Sequence, residues 1–111
     1  MEPIEFIKKI TSEIVESNSE IYKELFETTN SNEVEDNYWK EALNFYKKSN
    51  VDDKNTIMKI IKQIQIDTIS NLLGIMDGVV ALENTDGDFS LNYEGIPLNG
   101  DLQDIFLKET E

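Results

Sequence analysis

Apolar residues recur at helical spacing from the start of the chain. Ile4, Ile7, Ile10, Ile14, Ile21, Tyr22 and Leu25 share one face at about 100° per residue, and Glu13, Glu16, Glu20, Glu24 and Glu27 share the opposite one. Pro3 suits a first helical turn, so the pattern predicts one amphipathic helix from Pro3 to about Thr28. Ser17-Asn18-Ser19-Glu20 has the chemistry of a capping box, but the apolar register runs through it and continuity is expected. The polar stretch Thr28 to Glu33 predicts a loop. A second helix is predicted from about Glu35 to Lys48, carrying Tyr38, Trp39, Ala42, Leu43, Phe45 and Tyr46. Its acidic start and lysine-bearing end complement the helix dipole.

Asp52 or Asp53 can cap a third helix that reaches Met76 or Asp77, with Gly78 as a natural C-cap just beyond. Ile57, Ile60, Ile61, Ile64, Ile66, Ile69, Leu72, Leu73 and Ile75 spread over about 200° of its wheel, wider than the stripe of a surface helix, which predicts a central position. The last third changes character. Val79-Val80-Ala81-Leu82 favours β structure, Asn84-Thr85-Asp86-Gly87 is turn chemistry, and Phe89, Leu91 and Tyr93 alternate with polar residues, so a small hairpin is predicted. Gly95 to Gly100 reads as loop, and Asp101 to Lys108 as a short terminal helix with Leu102, Ile105 and Phe106 inward. The expected fold is therefore mainly α, with three principal helices, a small C-terminal β-hairpin and a short terminal helix, in a single domain over residues 1–111. There is no internal repeat or linker.

Composition narrows the chemistry. The 111 residues carry 10 cations, every one of them Lys, against 23 acids, a formal charge of −13, with no His and no Cys. Catalytic triads, thiol nucleophiles, disulfides and zinc sites of the usual N/S type are excluded, as is a bidentate guanidinium clamp. The charge argues against nucleic acid or an anionic membrane as a direct partner. No apolar run is long enough to span a bilayer and the first residues lack signal-peptide character, so a cytoplasmic location is expected. Ile, Asn and Lys used heavily beside no Arg resemble low-GC bacterial or phage coding.

The charge is unevenly placed. Residues 79–111 hold eight of the 23 acids but one of the 10 lysines. Between Lys62 and Lys108 there is no cation, while Asp67, Asp77, Glu83, Asp86, Asp88, Glu94, Asp101 and Asp104 all fall there. A run of one sign is ordinarily a solvated face that aids solubility. The functional alternative is a docking surface for a basic partner, with Glu83, Asp86, Asp88, Glu94, Asp101 and Asp104 as its contacts.

Three local patterns compete with that reading. Glu13-Ile14-Val15-Glu16 and Glu33-Val34-Glu35-Asp36 resemble the paired carboxylates with which all-α nucleotide pyrophosphatases hold Mg²⁺. Against it, Glu13 and Glu16 are predicted to face away from the isoleucine stripe, Glu33 lies beside a loop, and no Arg is present for a triphosphate. Asn84-Thr85-Asp86-Gly87-Asp88 has the alternating oxygens of a calcium loop, but its glycine falls early and Gly95 stands where a bidentate Glu belongs; turn chemistry explains it better. Neither motif supports a metal, and no cofactor is implied. Tyr38-Trp39 and Phe45-Tyr46 fit a core face, as helical aromatics usually do, or an aromatic anchor for a partner, with Trp39 as the candidate contact.

Ser70-Asn71-Leu72-Leu73-Gly74-Ile75-Met76-Asp77-Gly78, followed by Leu98-Asn99-Gly100-Asp101-Leu102-Gln103-Asp104-Ile105-Phe106-Leu107, resembles the C-terminal halves of small bacterial proteins of the polymorphic-toxin immunity type. The resemblance covers about 40 residues and implies a non-enzymatic, cytoplasmic inhibitor that binds a basic toxin domain. The expected function is thus an acidic immunity- or antitoxin-like binding protein. A Mg²⁺-dependent nucleotide hydrolase using Glu13, Glu16, Glu33 and Asp36, and a phage-encoded nucleic-acid mimic, are the alternatives.

Overall fold

The computed structural model describes residues 1–111 as five α-helices and one two-stranded hairpin: α1 Pro3–Ile10, α2 Ser17–Thr28, α3 Asn37–Lys48, α4 Val51–Asp77, β1 Asn92–Tyr93, β2 Ile96–Pro97 and α5 Leu102–Glu109. The mainly α fold with a small hairpin and a terminal helix is as expected. A single 3₁₀ turn, Ser31–Glu33, lies between α2 and α3.

The predicted first helix is one continuous rod, but it is not straight α. Thr11–Glu16 between α1 and α2 is a π-helical turn, with helical backbone on both sides. There the Ser17 N–H reaches back to the Ser12 carbonyl, one residue further than an α-helix allows. The extra residue rotates α2 relative to α1. Ile7 and Val15 are buried, whereas Ile14, placed inward by the straight-helix pattern, is 42% exposed, and Ile4 and Ile21 also face out. The Thr11 and Ser19 hydroxyls donate to the carbonyls of Ile7 and Val15, at 2.9 and 2.7 Å.

This rod and α4 run antiparallel. Ile7 joins Leu73 in a cluster completed by Val15, Ile66, Leu102 and Phe106. At the other end Phe26, Leu43 and Tyr46 form a second cluster with Ile57, Met58 and Ile61 of α4. There is no single core. Only 12 of the 111 residues are buried, and the molecule measures 48 × 31 × 25 Å. α4 is central in that both clusters use it, but Ile60, Ile64 and Leu72 lie exposed, so its apolar breadth exceeds what the chain covers.

α4 starts with the Asn50 side chain accepting from the Asp53 N–H at 2.8 Å, so Asn50 takes the capping role expected of Asp52 or Asp53. It ends as predicted at Gly78, φ +80°, where the Val79 and Val80 N–H groups both donate to the Gly74 carbonyl. That ending removes the expected first strand, because Val79 and Val80 spend their donors on the helix terminus. A turn forms at Leu82–Thr85, two residues before the predicted Asn84–Gly87, with Thr85 N–H donating to the Leu82 carbonyl at 3.2 Å, but no strands flank it. The hairpin lies later: Tyr93 pairs with Ile96 across Glu94-Gly95, φ +48° and +81°, the two positive values a type I′ turn requires.

α5 supplies Leu102 and Phe106 to the first cluster with Ile105 beside them, all three inward as predicted. It crosses α4 where Ser70 and Gly74 leave room. A Cβ on Gly74 would lie 2.6 Å from Val80 Cγ2 and 2.7 Å from Gln103 Nε2. Gln103 has little freedom to yield, because Nε2 donates to the Ser70 carbonyl at 3.0 Å. Gly74→Ala is expected to lower stability by about 1–3 kcal/mol in urea denaturation, whereas Asn71→Ala, exposed on the same helix, stays within about 0.5 kcal/mol of wild type.

Candidate functional site

The segment between Gly78 and Leu91 has its residues 81–90 all exposed. What shapes it is a polar clamp at its base. Asn99 Nδ2 donates to the Met76 carbonyl at 2.6 Å and to the Phe89 carbonyl at 2.8 Å, while its Oδ1 accepts from the Leu91 N–H at 2.8 Å. One amide therefore ties the loop's exit to the end of α4. Beside it the Asp77 carboxylate accepts from the N–H groups of Gly100 and Gln103, at 2.6 and 2.8 Å. The second is an orphan donor at the start of α5, so an acid ending one helix caps the next, where the dipole favours it. Asp101, the residue just before α5, makes no side-chain cap itself.

Above this base the tip carries the predicted acids Glu83, Asp86 and Asp88, together with exposed Leu82 and Phe89. Leu82, Phe89, Val80 and Ile75 line a recess of about 180 Å³ under the tip. Glu94 stands at the hairpin turn, and Asp101 and Asp104 at the start of α5, all exposed. Glu83, Asp86 and Asp88 thus sit on the loop and Asp101 and Asp104 near its base, while the hairpin bearing Glu94 lies back along the rod, where Tyr93 faces Lys9, Ile10 and Ile14; no three acidic side chains anywhere come close enough to hold a metal ion. Asn99 and Asp77, which organise this end, are not among the predicted site residues. Asp77 is one of many acids, and Asn99 in a Gly- and Pro-flanked stretch reads as turn chemistry.

Trp39 lies elsewhere. It is half-buried at the edge of the second cluster, with ring centroids 6.4 Å from Tyr22, 6.2 Å from Phe26 and 5.1 Å from Tyr38. It belongs to the α2–α3–α4 end and is not brought together with the acidic loop. Of the other predicted aromatics, Tyr46 is core while Tyr38 and Phe45 are 64% and 66% exposed. Tyr22, Phe26, Tyr38, Ile61, Ile64 and Gln65 line a groove of about 240 Å³ at this end. The buried Tyr46 hydroxyl donates to the Glu27 carboxylate, and Lys54 Nζ sits 5.2 Å from its ring centre. Burial first, then that hydrogen bond and the carboxylate's charge, push the phenol up to about 12.

The carboxylate pairs that resemble a Mg²⁺ site are all on the surface. Glu13, Glu16, Glu33 and Asp36 are exposed, and Asp36 Oδ1 accepts from the Trp39 N–H at 3.2 Å as the cap of α3. Asn84, with φ +57°, and Gly87, with φ +100°, serve the loop's turns. No helix is long and apolar enough to cross a membrane. No protein-family model, curated protein or solved structure matches the chain.

These bonds carry two expected outcomes. Asn99→Ala removes three hydrogen bonds and is expected to cost about 1–3 kcal/mol, and limited proteolysis should then cut faster within residues 79–91 while α4 stays protected. A raised phenol pKa means that the neutral form of Tyr46 stabilises the fold: its contribution is complete below the unfolded value of 10.0 and is lost as pH rises towards about 12. Tyr46→Phe should be less stable than wild type at pH 8 by about 1 kcal/mol, and urea titrations should show that gap closing above pH 10.

Proposed function

We propose that this is a non-enzymatic acidic binding protein, an immunity- or antitoxin-like inhibitor acting in the cytoplasm, and that its C-terminal acidic end docks a basic protein partner such as a toxin domain. The observation that carries the reading is the loop tethered at its base by Asn99, with Glu83, Asp86 and Asp88 exposed beside Leu82 and Phe89. Exposed acids alone would serve solubility. Exposed large apolar side chains among them do not, and the combination suits a surface that steers a cationic partner and then anchors it. Asp101 and Asp104 extend the same sign of charge near the loop's base, and Glu94 carries it back along the rod. Trp39 is too far from this end to join that contact, since some 16 residues of α4, or about 24 Å, separate Ile61 in its cluster from Asp77.

The test is capture of the product of the neighbouring reading frame by the full chain, with affinity measured at low and high salt. Glu83→Gln, Asp86→Asn and Asp88→Asn together are expected to weaken binding at least about tenfold and to flatten its salt dependence. Leu82→Ala with Phe89→Ala should weaken it at all salt concentrations. Binding that survives neutralisation of all six acids at high salt would sink the electrostatic docking idea.

A further inference from the structure

The chain exposes more surface than a compact monomer of its mass, and the end away from the acidic loop carries Ile21, Tyr22, Tyr38, Phe45, Ile60 and Ile64 among its exposed large apolar residues. A monomeric protein of 12.8 kDa is expected to expose about 6,300 Å², and this chain exposes 7970 Å². Its radius of gyration is 17.6 Å, against about 13 Å for a compact chain of this length. The excess of about 1,700 Å² exceeds the roughly 800 Å² that each partner contributes to a standard interface. We propose that the groove between α2, α3 and α4 is the interface of a homodimer, filled by a second copy of this chain.

Charge selects the second copy and this patch. A two-fold interface sets the same surface against itself, so the patch must be close to neutral. The acidic end fails that condition. All six groove residues, Tyr22, Phe26, Tyr38, Ile61, Ile64 and Gln65, are uncharged, and the helical segments that line it, residues 17–28, 37–48 and 51–65, hold seven lysines against six acids. From Ile64 to the end of α4 is about 20 Å, more than twice the Debye length of about 8 Å at physiological salt, so the loop's charge does not oppose apposition here. Ile64 is 59% exposed and Ile60 extends the stripe. This inference is independent of the proposed basic partner, which would occupy the opposite end.

The test is the molar mass of the full chain by light scattering or sedimentation at micromolar concentration, with Trp39 fluorescence as a second readout. Wild type is expected at twice 12.8 kDa, with Trp39 emission moving to the red on dilution. Ile64→Glu is expected at the single-chain mass, with unchanged helical circular dichroism and emission independent of concentration. Tyr38→Lys, on a different helix and already exposed, should do the same, which keeps the result from depending on whether one variant folds. The Glu83→Gln, Asp86→Asn, Asp88→Asn variant should remain dimeric. A wild-type chain that stays monomeric overturns the proposal and leaves the groove to some other protein. So does a dimer that survives both groove substitutions, or one abolished by neutralising the loop.

Discussion

The antiparallel pairing of the Pro3–Thr28 rod with α4 is the interaction on which everything else is hung. Both apolar clusters form across it, and α3 and α5 each close one of them. A long helix can face a neighbour over its whole length only if its inward residues keep pace with its turns. Here the inward positions include Ile7, Thr11, Val15 and Ser19, four apart, and in a straight α-helix each such step drifts by about 40°. The π turn at Thr11–Glu16 absorbs that drift, and Ser19 then meets Gln65 of α4. Without the widened turn, the residues that seal the first cluster and those that seal the second would point to different sides.

The same pairing leaves the molecule thin. Two small clusters bury little, so stability leans on polar junctions at the helix ends. Asp77, Asn99 and Gln103 bind α4, the loop and the start of α5 into one unit, and Gly74 allows the approach. These bonds divide the acids into kinds that composition cannot distinguish. Asp77 and Asp36 satisfy helix N-termini, and Glu27 holds a buried phenol. Glu83, Asp86 and Asp88 stand exposed to water instead. The total charge therefore overstates the acids that are free for the proposed docking, because some of them are committed to helix caps and a buried hydroxyl.

Much of this fold can be read from the chain, and the failures have specific causes. Helix positions, the Gly78 terminus and the inward face of α5 arise from periodicity and cap chemistry that act locally. The π turn does not, because a helical wheel presumes the period it tests: Ile14 fits a straight stripe better than Val15 does. Strand propensity at Val79 and Val80 places the hairpin too early, because their N–H groups are taken by the Gly74 carbonyl, a competition invisible to propensity. The breadth of isoleucines on α4 predicts burial, but burial also needs a covering surface, and Ile60 and Ile64 have none within the chain. The two stretches singled out by resemblance, Ser70–Gly78 and Leu98–Leu107, prove to be the pair joined by the polar clamp. Their patterning records a structural junction and does not by itself identify a binding site. Of the candidate site, the acids are legible by charge counting, but the loop that presents them is not.

That junction also bears on how the loop can work. A segment with little apolar contact of its own is costly to order on binding, and part of that cost is bringing its ends together. Asn99 meets that part in advance, because it fixes Phe89 and Leu91 against Met76 before any partner arrives. The base is held and the tip is left free, which is the arrangement in which loops carry recognition on a rigid support. Unlike a charged tail, such a loop presents Leu82 and Phe89 at a defined place relative to its acids. On the proposed docking reading, long-range attraction and short-range fit would come from the same dozen residues, with the clamp and the helices that carry it as their rigid support.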